Sequence, residues 1–153
     1  GMEARLNATF SYAECKASLK AIWPIPNLNP LSLVHGDYWP GNVLWKDEQL
    51  IAVIDWEETC IDDPLIDLAI ARLDVRWVYG KEAMDTFTRL YLRANPIDRT
   101  HLHRWDLFAA IRPGDRLAEW APGYPQLGRD DITAETMTLE RRDFAAEALR
   151  RLA

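Results

Sequence analysis

His35-Gly36-Asp37-Tyr38-Trp39-Pro40-Gly41-Asn42-Val43-Leu44-Trp45, followed by Ile54-Asp55-Trp56-Glu57, is the stretch on which the reading of this chain turns. Asp37 precedes Asn42 by five positions and Asp55 by 18. Two short apolar runs lie between, Val43–Trp45 and Leu50–Ile54, separated by the polar Lys46-Asp47-Glu48-Gln49. Two strand-like runs around a polar turn predict a β-hairpin. A hairpin brings the chain back to its starting point, so Asp55 is expected beside Asn42.

Outward from this hairpin the pattern is helical. Tyr12, Cys15, Leu19 and Ile22 recur at spacings of three and four, predicting a helix over 11–22. Three prolines between Trp23 and Pro30 end it. Leu31–Val34 is a short apolar lead into His35. Asp63-Pro64 reads as an N-cap with proline at the first helical position. The stripe Ile66, Ile70, Leu73 and Trp77, widened by Leu65, Leu68 and Ala69, runs to Gly80. Met84, Phe87, Leu90 and Ala94 mark the next helix, ended by Asn95-Pro96. Leu102, Trp105, Phe108 and Ile111 mark another, and residues 121–131 read as a loop. Phe144, Ala148 and Leu152 lie on one face of a final helix. The expectation is an α+β fold, mostly helical, with one small hairpin.

The bulk properties set outer limits. The 153 residues suit a single domain, 1–153. Hydrophobic residues make up 48% and charged residues 27%, an ordinary globular balance. The formal net charge of −6 speaks against a nucleic-acid binder. Cys15 and Cys60 are too few for a disulfide framework and read as reduced thiols. No apolar run reaches the roughly 18 residues of a membrane span, and no signal peptide is visible. These features lead us to expect a cytoplasmic protein. Gly1 before Met2 reads as a scar from tag removal. The tryptophans read as core, and Arg141-Arg142 and Arg150-Arg151 as a solvated helix face.

Transfer of a phosphoryl group from ATP asks little of a protein. One carboxylate orients the acceptor hydroxyl and takes its proton, while an amide oxygen and a second carboxylate hold Mg²⁺ on the phosphates. A loop H-x-D-x-x-x-x-N with a strand-end Asp after a hairpin supplies all three. The four fixed residues of His35-Gly36-Asp37 and Asn42 arise by chance about once per thousand chains of this size. Asp55, Glu57 and Asp63-Pro64 lower that by several further orders of magnitude.

The chain resembles the aminoglycoside phosphotransferase and choline kinase superfamily, whose fold is similar to that of protein kinases. The resemblance rests on His35-Gly36-Asp37, Asn42, Ile54-Asp55-Trp56-Glu57 and Asp63-Pro64-Leu65-Ile66-Asp67-Leu68-Ala69. It extends through Trp105-Asp106-Leu107 and Ile111-Arg112-Pro113. It implies a kinase-like C-terminal lobe. Asp37 would be the catalytic base, and Asn42 and Asp55 the Mg²⁺ ligands. His35 and Asp67 would support the loop structurally. Glu57 and Glu58 would line a substrate pocket or a solvated face. No residue is assigned to the nucleotide base.

A working kinase also needs a glycine-rich loop over the phosphates and a strand-borne lysine. No glycine lies between Met2 and Val34, and Lys16 and Lys20 fall on the predicted helix. The N-terminal nucleotide lobe is therefore expected to be absent. Three accounts follow: a phosphotransferase lobe completed by a separate N-lobe chain, a pseudokinase-like binding module without turnover, and a truncated product of an ordinary small-molecule kinase. The surface that would meet the other lobe is expected to be exposed and partly apolar, inviting self-association or a partner. The resemblance implies ATP and Mg²⁺ as cofactors, with binding by this chain alone expected to be weak, and a small-molecule hydroxyl as acceptor.

Overall fold

The computed structural model describes residues 11–152. Its elements run α1 (Tyr12–Ile22), β1 (Ser32–Val34), a 3₁₀ turn (Pro40–Asn42), β2 (Val43–Lys46), β3 (Gln49–Val53), β4 (Cys60–Asp62), α2 (Leu65–Tyr79), α3 (Lys81–Ala94), α4 (Leu102–Ile111), α5 (Leu117–Trp120) and α6 (Ala134–Arg150). Two further 3₁₀ turns, Ala121–Gly123 and Pro125–Leu127, occupy the stretch expected to be a loop. The result is a mostly helical, kinase-like C-terminal lobe. No β-rich lobe occurs among the described residues, which form two compact units, 26–102 and 11–25 with 103–152.

In the first unit the predicted hairpin forms as β2 and β3, paired antiparallel from Val43 opposite Val53 to Lys46 opposite Gln49. The turn residues Asp47 and Glu48 both take positive φ, 50° and 61°. That is the pattern of a type I′ turn, whose twist matches the strands it joins. A bulge between Leu44 and Trp45 shifts the register. A second antiparallel pair, β1 with β4, sets Ser32 opposite Asp62 and Val34 opposite Cys60.

Helix α2 is buried nearly all round, from Leu65 to Val78, which explains why its apolar stripe is so wide. The helix begins one residue later than the sequence suggests, with Pro64 already in αR, while the Asp63 side chain still accepts from the Leu65 N–H (3.0 Å). Gly80, with φ 86°, makes the corner into α3. Only Met84 of the α3 stripe is buried, and Leu90 is exposed. Phe87 and Leu90 instead line an open apolar groove with Val75 and Tyr79.

The second unit packs Phe144, Ala145 and Ala148 of α6 in a core that also holds Cys15 and Trp105. Trp23 stacks on Phe108 and Trp105 meets Phe108 edge-on, with ring centroids 6.1 and 5.8 Å apart. Thr133 caps α6 in a reciprocal box with Thr136. The structure corrects two expectations. Arg141 is not on a solvated face: it is buried, donates from Nη1 to the Gly114 carbonyl (2.8 Å) and lies over the Tyr12 ring. Burial lowers its pKa from the ordinary value, partly offset by Tyr12 and Asp115. Nor are the tryptophans uniformly core, since Trp23, Trp45 and Trp56 are about half exposed or more. Among the described residues no helix is long and apolar enough to cross a membrane.

Candidate active site

The loop His35–Asn42 is positioned from three directions, all within the first unit. From α2, the Asp67 carboxylate reaches back and accepts two backbone N–H bonds, from His35 (2.6 Å) and Gly36 (2.8 Å). From the end of the hairpin, the Ile54 carbonyl meets His35 Nε2 at 2.8 Å. The other ring nitrogen, Nδ1, accepts from the Asp37 N–H (3.2 Å), so the ring proton sits on Nε2. His35 is thereby a buried strut between β3 and the loop, with its ring against Trp56 (4.6 Å). From Glu58 comes a steric constraint. Gly36 has φ +81°, and a Cβ there would collide with the Glu58 carbonyl. Glycine meets both demands at once.

Asn42 closes the loop on itself. Its Nδ2 donates to the Asp37 carbonyl (2.9 Å) and to Asp37 Oδ2 (3.3 Å). Asn42 is buried, and both bonds leave from the nitrogen, so the amide oxygen is engaged in neither. The Asn42 carbonyl accepts from the Ile54 N–H (3.0 Å), which sets Asp55 one residue beyond the point where the hairpin returns to the loop. Asp55 itself takes φ 65°. Non-glycine residues in this left-handed region are uncommon, with Asp and Asn the best tolerated, and they collect at functional sites.

The structure thus brings together His35, Asp37, Asn42 and Asp67 through direct bonds, and Asp55 through its neighbour Ile54. Glu57 and Glu58 are exposed in the turn between β3 and β4, and Glu58 lies against Gly36 of the loop through its backbone and Cβ. The residues that the sequence alone did not single out are Trp56, as the aromatic floor of His35, and the network around Asp63. Trp56 stands inside the quoted motif, so an aromatic next to Asp55 was the available signal.

The oxygen donors fit Mg²⁺ in kind. An amide oxygen and a carboxylate are hard ligands, and Mg²⁺ is commonly held by one or two protein groups plus phosphates and water. The local charge agrees. Residues 31–62 carry Asp37, Asp47, Glu48, Asp55, Glu57, Glu58 and Asp62 against Lys46 alone, a formal −6. The whole chain, with 18 basic and 24 acidic residues, has the same net charge, so the remainder is balanced. Among the described residues, the same stretch holds most of the exposed large hydrophobics, including Leu33, Leu44, Trp45, Ile51 and Ile61.

A kinase-like lobe with this loop defines the class of protein. The model of the phosphotransferase enzyme family matches residues 3–108, and the chain belongs to that family. It is 42% identical over 69 residues to a homoserine kinase of Methylocella silvestris, covering 45% of this chain and 20% of that protein. It is 31% identical over 110 residues to acyl-CoA dehydrogenase family member 11 of Pongo abelii, covering 58% of this chain and 14% of that protein. The human counterpart is 30% identical over 109 residues, with the same shares. The chain therefore spans a fifth or less of the length of these relatives.

Proposed function

We propose that this chain is the catalytic lobe of an ATP-dependent phosphotransferase acting on a small-molecule hydroxyl. The observation that carries the reading is the paired restraint on the loop: Asp67 gripping the His35 and Gly36 amides, and Asn42 Nδ2 on Asp37. A carboxylate held this way is oriented before any ligand arrives, which favours catalysis by preorganisation. Asp37 orients the acceptor hydroxyl and receives its proton. Asn42 Oδ1 and the Asp55 carboxylate would hold Mg²⁺, which when bound neutralises charge on the transferring phosphoryl group. His35 keeps the loop at a fixed distance from β3. The likeness to a homoserine kinase supports a small hydroxylated acceptor.

The exposed apolar side chains of β1 to β4 support a surface that docks a nucleotide-binding lobe. A second copy is the weaker occupant, because the segment 31–62 that carries these side chains also carries a formal −6, and two such segments repel. The alternative, a binding module without turnover, keeps the same loop but transfers nothing.

Calorimetric titration of the chain with Mg-ATP, with Asp55→Asn alongside, tests the reading. Binding at millimolar concentration or tighter that disappears in the variant supports the metal site. Equal heats from both proteins, or none from either, would sink it.

A further inference from the structure

We infer that Asp63 and Asn29 form a buried positioning hub that sets the catalytic loop against α2; the catalytic meaning of that position rests on the function proposed above. Asp63 is wholly buried. Its carboxylate accepts from the backbone N–H groups of Leu28 (3.1 Å), Asn29 (3.4 Å) and Leu65 (3.0 Å), and from Asn29 Nδ2 (3.1 Å). Asn29, also buried, donates from the same Nδ2 to the Asp98 carbonyl (2.9 Å) and accepts on Oδ1 from the Asp98 N–H (2.7 Å). One carboxylate and one amide thus join three stretches far apart in sequence: the segment before β1, the start of α2, and the turn after α3. A buried carboxylate is costly unless its oxygens are hydrogen-bonded, and here each oxygen has two donors.

The hub stands where it governs the site. β1 starts three residues after Asn29 and runs directly into His35. β4 pairs with β1 and runs directly into Asp63. α2 starts two residues after Asp63, and its first turn carries Asp67. The His35 amide and the Asp67 carboxylate are therefore delivered to each other by two chain segments that the hub pins together. The bonds at 2.6 and 2.8 Å leave little slack, since hydrogen bonds of this type weaken beyond about 3.2 Å. Asparagine suits the site because it both donates to Asp63 and reads the two backbone groups of Asp98. Aspartate at that position would set like charges together.

The test is residue-resolved amide hydrogen exchange on the full chain carrying Asn29→Ala, with Asp63→Asn as a second variant. Expected is an acceleration of about tenfold or more at the His35 and Gly36 amides, with α6 still protected as in the parent chain. Unchanged protection at His35 and Gly36 overturns the inference. So does a loss of protection throughout α6 in both variants, which would make the pair a general core element. Where transfer is measurable, Asn29→Ala should lower kcat and leave the nucleotide KM within about twofold. If the parent chain binds no Mg-ATP, the functional reading fails while the exchange result still decides the hub.

Discussion

At the scale of single residues, substitution should separate the roles proposed for His35, Gly36 and Asp37. Asp37→Asn should abolish transfer while moving stability by no more than about 0.5 kcal/mol, because the Asn42 bond to its carbonyl survives. His35→Ala removes the partners of the Ile54 carbonyl and the Asp37 amide, and should cost about 2–3 kcal/mol in urea unfolding. Gly36→Ala forces both an unfavourable φ and a clash with the Glu58 backbone, and should cost about 2 kcal/mol or more. If Asp37→Asn proved as destabilising as His35→Ala, Asp37 would be a structural residue. The spacing from Asp37 to Asn42 was legible in the sequence because a loop motif is local. Asp67 was legible as a first-turn carboxylate near the loop. Asp63 reads locally as a helix cap, and nothing in the neighbouring residues reveals that its other partners are Leu28 and Asn29, or that Asn29 carries the network on to Asp98.

At the scale of elements, the hairpin of β2 and β3 was readable because its strands and turn are contiguous. The pairing of β1 with β4 was not. Each strand is three residues long, and Val34 meets Cys60 across 26 positions. Short strands carry too little alternation to mark a register. The α3 stripe was read correctly as helical but says nothing about coverage, and Leu90 remains exposed. The hairpin turn offers a test of its own. Glu48 holds φ 61°, where a side chain is strained and glycine is not. Glu48→Gly should therefore raise stability by up to about 1 kcal/mol, seen as a higher thermal midpoint. A fall would show that the turn is held by contacts of the Glu48 side chain.

For the molecule as a whole, the two thiols report on integrity. Cys15 lies in the core and Cys60 is exposed on β4. Burial raises the Cys15 pKa, with Glu14 adding to the effect. Desolvation also raises that of Cys60, followed by the charges of Asp62 and Asp67. A thiolate-selective reagent should accordingly label one cysteine per native chain, slowly at neutral pH and faster above pH about 9. Both should react in denaturant. Rapid labelling of Cys15 under native conditions would mean that the 11–25 and 103–152 unit opens readily.

If the proposed function holds, the concentration of the chain's entire net charge in residues 31–62 should shape the order in which ligands arrive. Free ATP is a polyanion and would approach this segment against the local field, whereas a divalent cation would be drawn in from about a Debye length away, roughly 8 Å at physiological ionic strength. Encounter should therefore run through the metal, either ahead of the nucleotide or already riding on it. Metal-free nucleotide should associate faster as salt is added, and Mg²⁺ more slowly.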